Sequence, residues 1–163
     1  MSIEAGAAVP PATFKHMTAK GIENVELAAL MEGKKVILFG LPGAYTPVCS
    51  TQHLPGFVAE ADKLKADGVD AIVCIATNDP FVMSAWGKEH AVGDKIMMLS
   101  DPDAVFTKAL GLSLDLSGLG LGERSKRWSM VVEDGVVSTV NVEESIFDAH
   151  VTGAKNLLAS VQA

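Results

Sequence analysis

Cysteine is scarce in this chain: there are two, Cys49 and Cys74, and they form no C-x-x-C pair. So few thiols exclude a disulfide scaffold and leave two free cysteines suited to a reducing cytoplasm. Long apolar runs are missing too. None approaches the roughly 20 residues that a membrane-spanning helix needs. The first residues carry Glu4 and no basic segment ahead of an apolar block, so no secretory leader is expected. Positive charge is in deficit, 13 Lys and Arg against 20 Asp and Glu. The net charge of −7 argues against a nucleic-acid or anionic-membrane surface. With 48% hydrophobic and 20% charged residues the composition is that of a globular chain and not a disordered one. No internal repeat, linker or low-complexity stretch interrupts it, and the expectation is a single domain over residues 1–163.

The pattern of elements alternates. Residues 12–27 suggest short strands around the Lys20-Gly21 turn, followed by a helical turn over Leu27 to Met31. "KKVILFG", ending at Gly40, is a continuous apolar run expected as a strand buried on both faces. Thr46 and Pro47 then open a helix that Pro55 should kink and Gly68 should end. "VDAIVCIAT" is a second buried strand, and Asn78 or Asp79 caps a helix begun by Pro80. "KIMMLS" is a third strand, and "DPDAVFTKALG" repeats the cap-proline-helix pattern. "LSLDLSGLGLGERSK" reads as a largely structureless glycine-rich loop. "RWSMVVEDGVVSTVNV" is a hairpin turning at Asp134-Gly135, and residues 144–161 make a last helix carrying Ile146, Val151, Ala154, Leu157 and Leu158. Strand-helix alternation closed by a hairpin implies an α/β, thioredoxin-like fold: a central mixed sheet flanked by helices, with an N-terminal β extension.

Cys49 stands at the start of the helix that follows the first buried strand. Ligands of open α/β sheets gather at such strand ends, and the free N–H groups and dipole of a helix start stabilise an anion there. A thiolate is the nucleophilic form of cysteine, so the position suits a reactive residue. An inert buried cysteine is the alternative. Thr46 can turn its hydroxyl toward the sulfur, while Pro42 and Pro47 stiffen the approach and remove competing donors.

"PGAYTPVCSTQHLPGF" resembles the active-site signature of the peroxiredoxins, in particular their type II (peroxiredoxin-5-like) branch. "GVDAIVCIATNDPFVMSAW", "LSDPDAVFTKALGL" and "RSKRWSMVVEDGVV" follow in that family's order and spacing, so the likeness covers nearly the whole chain. The resemblance implies that Cys49 is the peroxidatic cysteine, Thr46 the hydroxyl that bonds thiolate and peroxide, and Pro42 a shield of the sulfur. It implies further that Arg127, just before Trp128, is the active-site arginine, with Arg124 a second candidate. A guanidinium there would stabilise the thiolate and the charge that develops as the O–O bond breaks.

The chemistry so implied reduces hydrogen peroxide and organic hydroperoxides through a Cys49 sulfenic acid, without metal or organic cofactor. A second thiol must then restore Cys49. Cys74 reads as a small core residue whose alternative role is the resolving thiol. The expected reductant is therefore external, glutathione with glutaredoxin ahead of thioredoxin. The resemblance also implies a homodimer. His53, four residues after Cys49, belongs to the signature in a structural or interface role and not as a catalytic base. Phe81, Trp86, Met83, Met97 and Met98 read as core residues at helix and strand spacing, with a pocket rim or an apolar patch as the alternative. A redox-sensing module without turnover and a thiol-disulfide oxidoreductase are the competing functions. Thr46 and Arg127 argue against the first, and the lack of a second cysteine beside Cys49 argues against the other.

Overall fold

The computed structural model describes residues 2–162. A hairpin of β1 (Thr13–Thr18) and β2 (Gly21–Glu26) leads into the short helix α1 (Leu27–Met31) and then β3 (Lys35–Gly40). A helix beginning at residue 47 passes through a π-helical turn, Cys49–His53, into α2 (Leu54–Ala66). There follow β4 (Ala71–Ala76), α3 (Pro80–Glu89), β5 (Met97–Ser100) and α4 (Val105–Ala109). A small hairpin of β6 (Ser113–Asp115) and β7 (Glu123–Ser125) precedes β8 (Trp128–Glu133), β9 (Val136–Val142) and α5 (Ala154–Gln162).

Seven strands make one mixed sheet in the order β2-β1-β5-β4-β3-β8-β9. β3, β4 and β5 run parallel, while β8 lies antiparallel to β3 and to β9. This is the α/β, thioredoxin-like architecture expected, with the N-terminal hairpin extending one edge of the sheet. Side chains alternate across β3. Ile37 and Phe39 face a core shared with α2, α3 and α5, whereas Val36 and Leu38 face one shared with α1 and α4. Phe39 stacks on Phe57 of α2 at 4.0 Å between centroids, and burying two such rings contributes about 1.5–3 kcal/mol each. Asp134 and Gly135 both take positive φ, 47° and 79°, as the tight turn between β8 and β9 requires.

Five details depart from the sequence reading. Pro55 produces a widened turn where a kink was expected: the Leu54 N–H reaches back to the Cys49 carbonyl, five residues away. A proline cannot donate to the carbonyl four residues earlier, and the π turn accommodates its ring without a break. The "DPDAVFTKALG" helix starts at Val105 and not beside Pro102, because Asp101 reaches forward to accept from the Phe106 and Thr107 N–H groups. The glycine-rich loop holds β6 and β7, paired from Ser113 opposite Ser125. The last helix begins only at Ala154, since the Glu143 carboxylate binds the N–H groups of Val151 and Thr152. Ile146 and Val151 are therefore loop residues. Asp79 caps α3 by accepting from the Val82 N–H, as foreseen, and Trp86, Met83 and Met98 are buried. Phe81 is instead 64% exposed and not part of the core.

Candidate active site

The antiparallel register of β3 and β8 brings the site together. Gly40, the last residue of β3, pairs with Trp128, the first of β8. Trp128 lies flat against Gly40, where a Cβ would come within 2.2 Å of the indole nitrogen; only glycine fits. The indole points into the α1/α4 core and donates to the Ser125 hydroxyl at 2.9 Å. Arg127, one residue earlier, consequently points to the other face, beside the loop that leaves β3 and carries Cys49.

That loop is held from several sides. Asn78, at the end of β4, accepts from the Ala44 N–H at 2.8 Å, and Ser100 donates to the Asn78 carbonyl. Arg124 donates to the Pro42 carbonyl at 3.3 Å and to the Leu121 carbonyl at 2.8 Å. It thus ties the β6–β7 hairpin to the proline loop and does not reach the sulfur, which leaves that place to Arg127. Tyr45 takes a left-handed φ of 64° just before the helix starts, a conformation that costs a non-glycine residue energy.

Cys49 is fully buried at the foot of this arrangement. Its Sγ accepts from Arg127 Nη2 at 3.1 Å. The guanidinium, itself only 2% exposed, also donates from Nε (3.3 Å) and Nη2 (2.9 Å) to the Ile146 carbonyl and from Nη1 (3.0 Å) to His53 Nδ1. Among the described residues no carboxylate lies within ion-pair distance of Arg127. The Cys49 sulfur thus takes the place a carboxylate would occupy beside this buried cation, in a hydrogen bond whose donor is charged. Thr46 sits on the pocket wall with its hydroxyl donating to the Gly43 carbonyl at 2.7 Å. With its proton committed there, the hydroxyl can offer the pocket only a lone pair, and it neither donates to the sulfur nor caps the helix. Pro42, Thr46 and Arg127 line a cavity of about 120 Å³ whose remaining walls are Pro47, Val48, Leu119, Leu121, Ile146 and Phe147. It is a small, largely apolar pocket with a few convergent polar groups.

His53 occupies a place the sequence could not assign. It is fully buried, and burial first, then the Arg127 charge, hold its pKa down to about 3 against the opposing pull of the Thr152 carbonyl. The neutral ring accepts from Arg127 at Nδ1, so Nε2 carries the proton toward the Thr152 carbonyl at 3.2 Å. The helical spacing of Cys49 and His53 was visible in the sequence; that both meet Arg127 was not. Glu143 and Thr152, which shape the neighbouring loop, gave no signal.

Cys74 lies inside β4, fully buried in the same core as Cys49. Burial, followed by the charge of Cys49, pushes its thiol well above the usual cysteine range, with Arg127 opposing. Both cysteines are free. No helix among the described residues is long and apolar enough to cross a membrane.

Comparisons with known proteins give the same answer as the geometry. The redoxin family model matches residues 4–158. Peroxiredoxin-2F, mitochondrial, of Arabidopsis thaliana is 49% identical over 135 residues, 83% of this chain and 67% of the relative. Peroxiredoxin-2C of Oryza sativa subsp. japonica is 45% identical over 140 residues, 86% of each. Among solved structures, reduced Prx3 in complex with hydrogen peroxide from Vibrio vulnificus superposes with a TM-score of 0.92 at 46% identity, covering 98% of this chain and 99% of that one. The chain belongs to the peroxiredoxins, thiol-dependent peroxidases within the redoxin family, and to their type II branch.

Proposed function

We propose that Cys49 is the peroxidatic nucleophile of a peroxidase acting on hydrogen peroxide and small organic hydroperoxides. The observation that carries this reading is the contact of Arg127 Nη2 with Cys49 Sγ at 3.1 Å, at the edge of a pocket walled by Pro42 and Thr46. The Cys49 thiolate attacks the terminal peroxide oxygen. An S–O bond forms, the O–O bond breaks, and the leaving oxygen departs with a proton as water or an alcohol, so that cysteine is oxidised to sulfenic acid as the peroxide is reduced. Arg127 can donate to the oxygens as charge moves along the O–O axis, and Thr46 can accept from the peroxide O–H. Hydrogen peroxide as substrate gains support from the relative whose structure was solved in complex with it. The apolar walls at Leu119, Leu121, Ile146 and Phe147 suit a short alkyl group as well.

An external thiol completes the cycle. It attacks the sulfenic sulfur, releases water and leaves a mixed disulfide that a further thiol reduces. Glutathione with glutaredoxin is the first choice and thioredoxin the second. Cys74 is set aside because its thiol is fixed inside a strand and held protonated by burial. The reading places the enzyme in the reducing cytoplasm as a homodimer. Peroxide consumption with excess glutathione and glutaredoxin tests the scheme. Cys49→Ser is expected to abolish turnover and Cys74→Ser to retain most of it; equal loss in both variants would refute an external reductant.

A further inference from the structure

Arg127 is gripped by a loop that closes on itself. Residues 143–152 leave β9 and return to the start of α5, and one side chain joins their ends. The Glu143 carboxylate accepts from the Thr152 N–H at 2.8 Å, the Thr152 hydroxyl at 2.7 Å and the Val151 N–H at 3.3 Å. Burial alone would raise this carboxyl, but the hydrogen bonds from the Thr152 hydroxyl and from the N–H groups of Thr152, Val151 and His150 outweigh it, and the net shift is downward. The loop is anchored on the arginine's own backbone, because the Glu143 N–H donates to the Arg127 carbonyl at 2.9 Å.

Two carbonyls of this loop meet the machinery around the sulfur. Ile146 accepts from Nε and Nη2 of Arg127. Thr152 accepts from His53 Nε2, and His53 Nδ1 accepts from Arg127 Nη1. The bonds therefore form a ring, from the Arg127 backbone through Glu143, Thr152 and His53 back to its guanidinium. We propose that Glu143 and His53 are positioning residues: Glu143 closes the 143–152 loop, and the loop, through the Ile146 carbonyl and through His53, holds Arg127 Nη2 on Cys49 Sγ. The inference rests on the peroxidatic role of Cys49 and deepens it.

The physical reason lies in the guanidinium. It has five N–H donors in a rigid plane, so the Ile146 carbonyl, which holds Nε and one Nη2 hydrogen, and the His53 ring, which holds Nη1, together fix where the second Nη2 hydrogen points. Left without the imidazole and the loop carbonyls, a buried guanidinium turns toward other acceptors, because each unsatisfied donor is costly. A misplacement of about 1 Å at a reacting group can cost on the order of a hundredfold in rate. Glu143 has no contact with the sulfur, so its effect must travel through Arg127.

The test is a double-mutant cycle on single-turnover oxidation of the reduced protein by hydrogen peroxide, with thermal midpoints measured in parallel. His53→Leu and Glu143→Ala are each expected to slow Cys49 oxidation by about tenfold to a hundredfold at temperatures where they remain folded. His53→Gln is expected to recover most of the rate, since an amide can accept from Arg127 and donate to the Thr152 carbonyl. In an Arg127→Ala background either change is expected to add less than about a twofold effect, because the part through which it acts is gone. Full rates in His53→Leu and Glu143→Ala would overturn the proposal, and so would equal slowing with and without Arg127. If Glu143→Ala does not fold, Glu143→Gln, which keeps a single acceptor, enters the same cycle. Wild-type protein that leaves Cys49 unoxidised would defeat the functional reading and the inference with it. Normal wild-type oxidation with indifferent variants would defeat the inference alone.

Discussion

The imidazole of His53 lies between Arg127 and the Thr152 carbonyl with no access to solvent, and its pKa is held down to about 3 by burial and by the guanidinium. The consequence for stability has a definite sign. In the unfolded chain a histidine takes up its proton near pH 6.5, whereas in the folded protein His53 stays neutral until about pH 3. Stability is therefore full above about pH 6.5 and falls as the pH drops toward 3, by up to about 5 kcal/mol for this group. Glu143 adds to the loss lower down: its folded pKa lies below the ordinary 4.5, so the stability it gives above that value disappears as the pH falls through the folded one. Denaturant unfolding across this range should show the decline in wild type and a shallower one in His53→Leu; identical slopes would contradict the burial of a neutral imidazole. At this scale the sequence was partly legible. The signature identified Cys49, Thr46, Pro42 and Arg127 as candidates, whereas the Ile146 carbonyl that meets Arg127, and the Glu143–Thr152 contact that closes its loop, lie in a segment whose apolar spacing imitates a helix. Periodicity records which residues are apolar, and the carboxylate that diverted this backbone carries no such mark.

Among the elements, the π-helical turn Cys49–His53 matters most to the site. It puts Cys49 and His53 on the side facing Arg127 while Ser50 turns toward α3, where its hydroxyl accepts from the buried Trp86 indole at 3.0 Å. That bond tethers the cysteine turn to a helix rooted in the core. Ser50→Ala strands a buried indole donor and is expected to destabilise the protein by about 1–3 kcal/mol. A lowered denaturant midpoint at unchanged slope would register it; no shift would mean that the indole finds another acceptor. Proline and aspartate patterns read the start of α3 correctly, because Asp79 caps locally. The same pattern misled at α4, where Asp101 serves N–H groups five and six residues ahead. Capping over that distance leaves no sequence motif. The β6–β7 hairpin was also missed, since two strands of three residues in a glycine-rich stretch show little alternation.

In the whole molecule, the site depends on one topological fact: β8 returns antiparallel to β3 and starts where β3 ends. Cys49 and Arg127, 78 residues apart in the chain, thereby become neighbours where the strand ends meet the following loop. The apolar runs of β3, β4 and β8 and the Asp134-Gly135 turn made this sheet legible, because buried strands and tight hairpins leave strong local signals. The 143–152 loop that completes the site has no such signal, and only the folded chain brings it to Arg127. In the function proposed above, this assembly makes the Cys49 sulfur the atom that peroxide oxidises. The measurement that tests it most directly is the intact mass of the fully reduced protein after one equivalent of hydrogen peroxide, with a sulfenate-reactive probe present. One probe adduct per chain, mapped to Cys49, is expected, with Cys74 unmodified. An unchanged mass, or an adduct confined to Cys74, would contradict it.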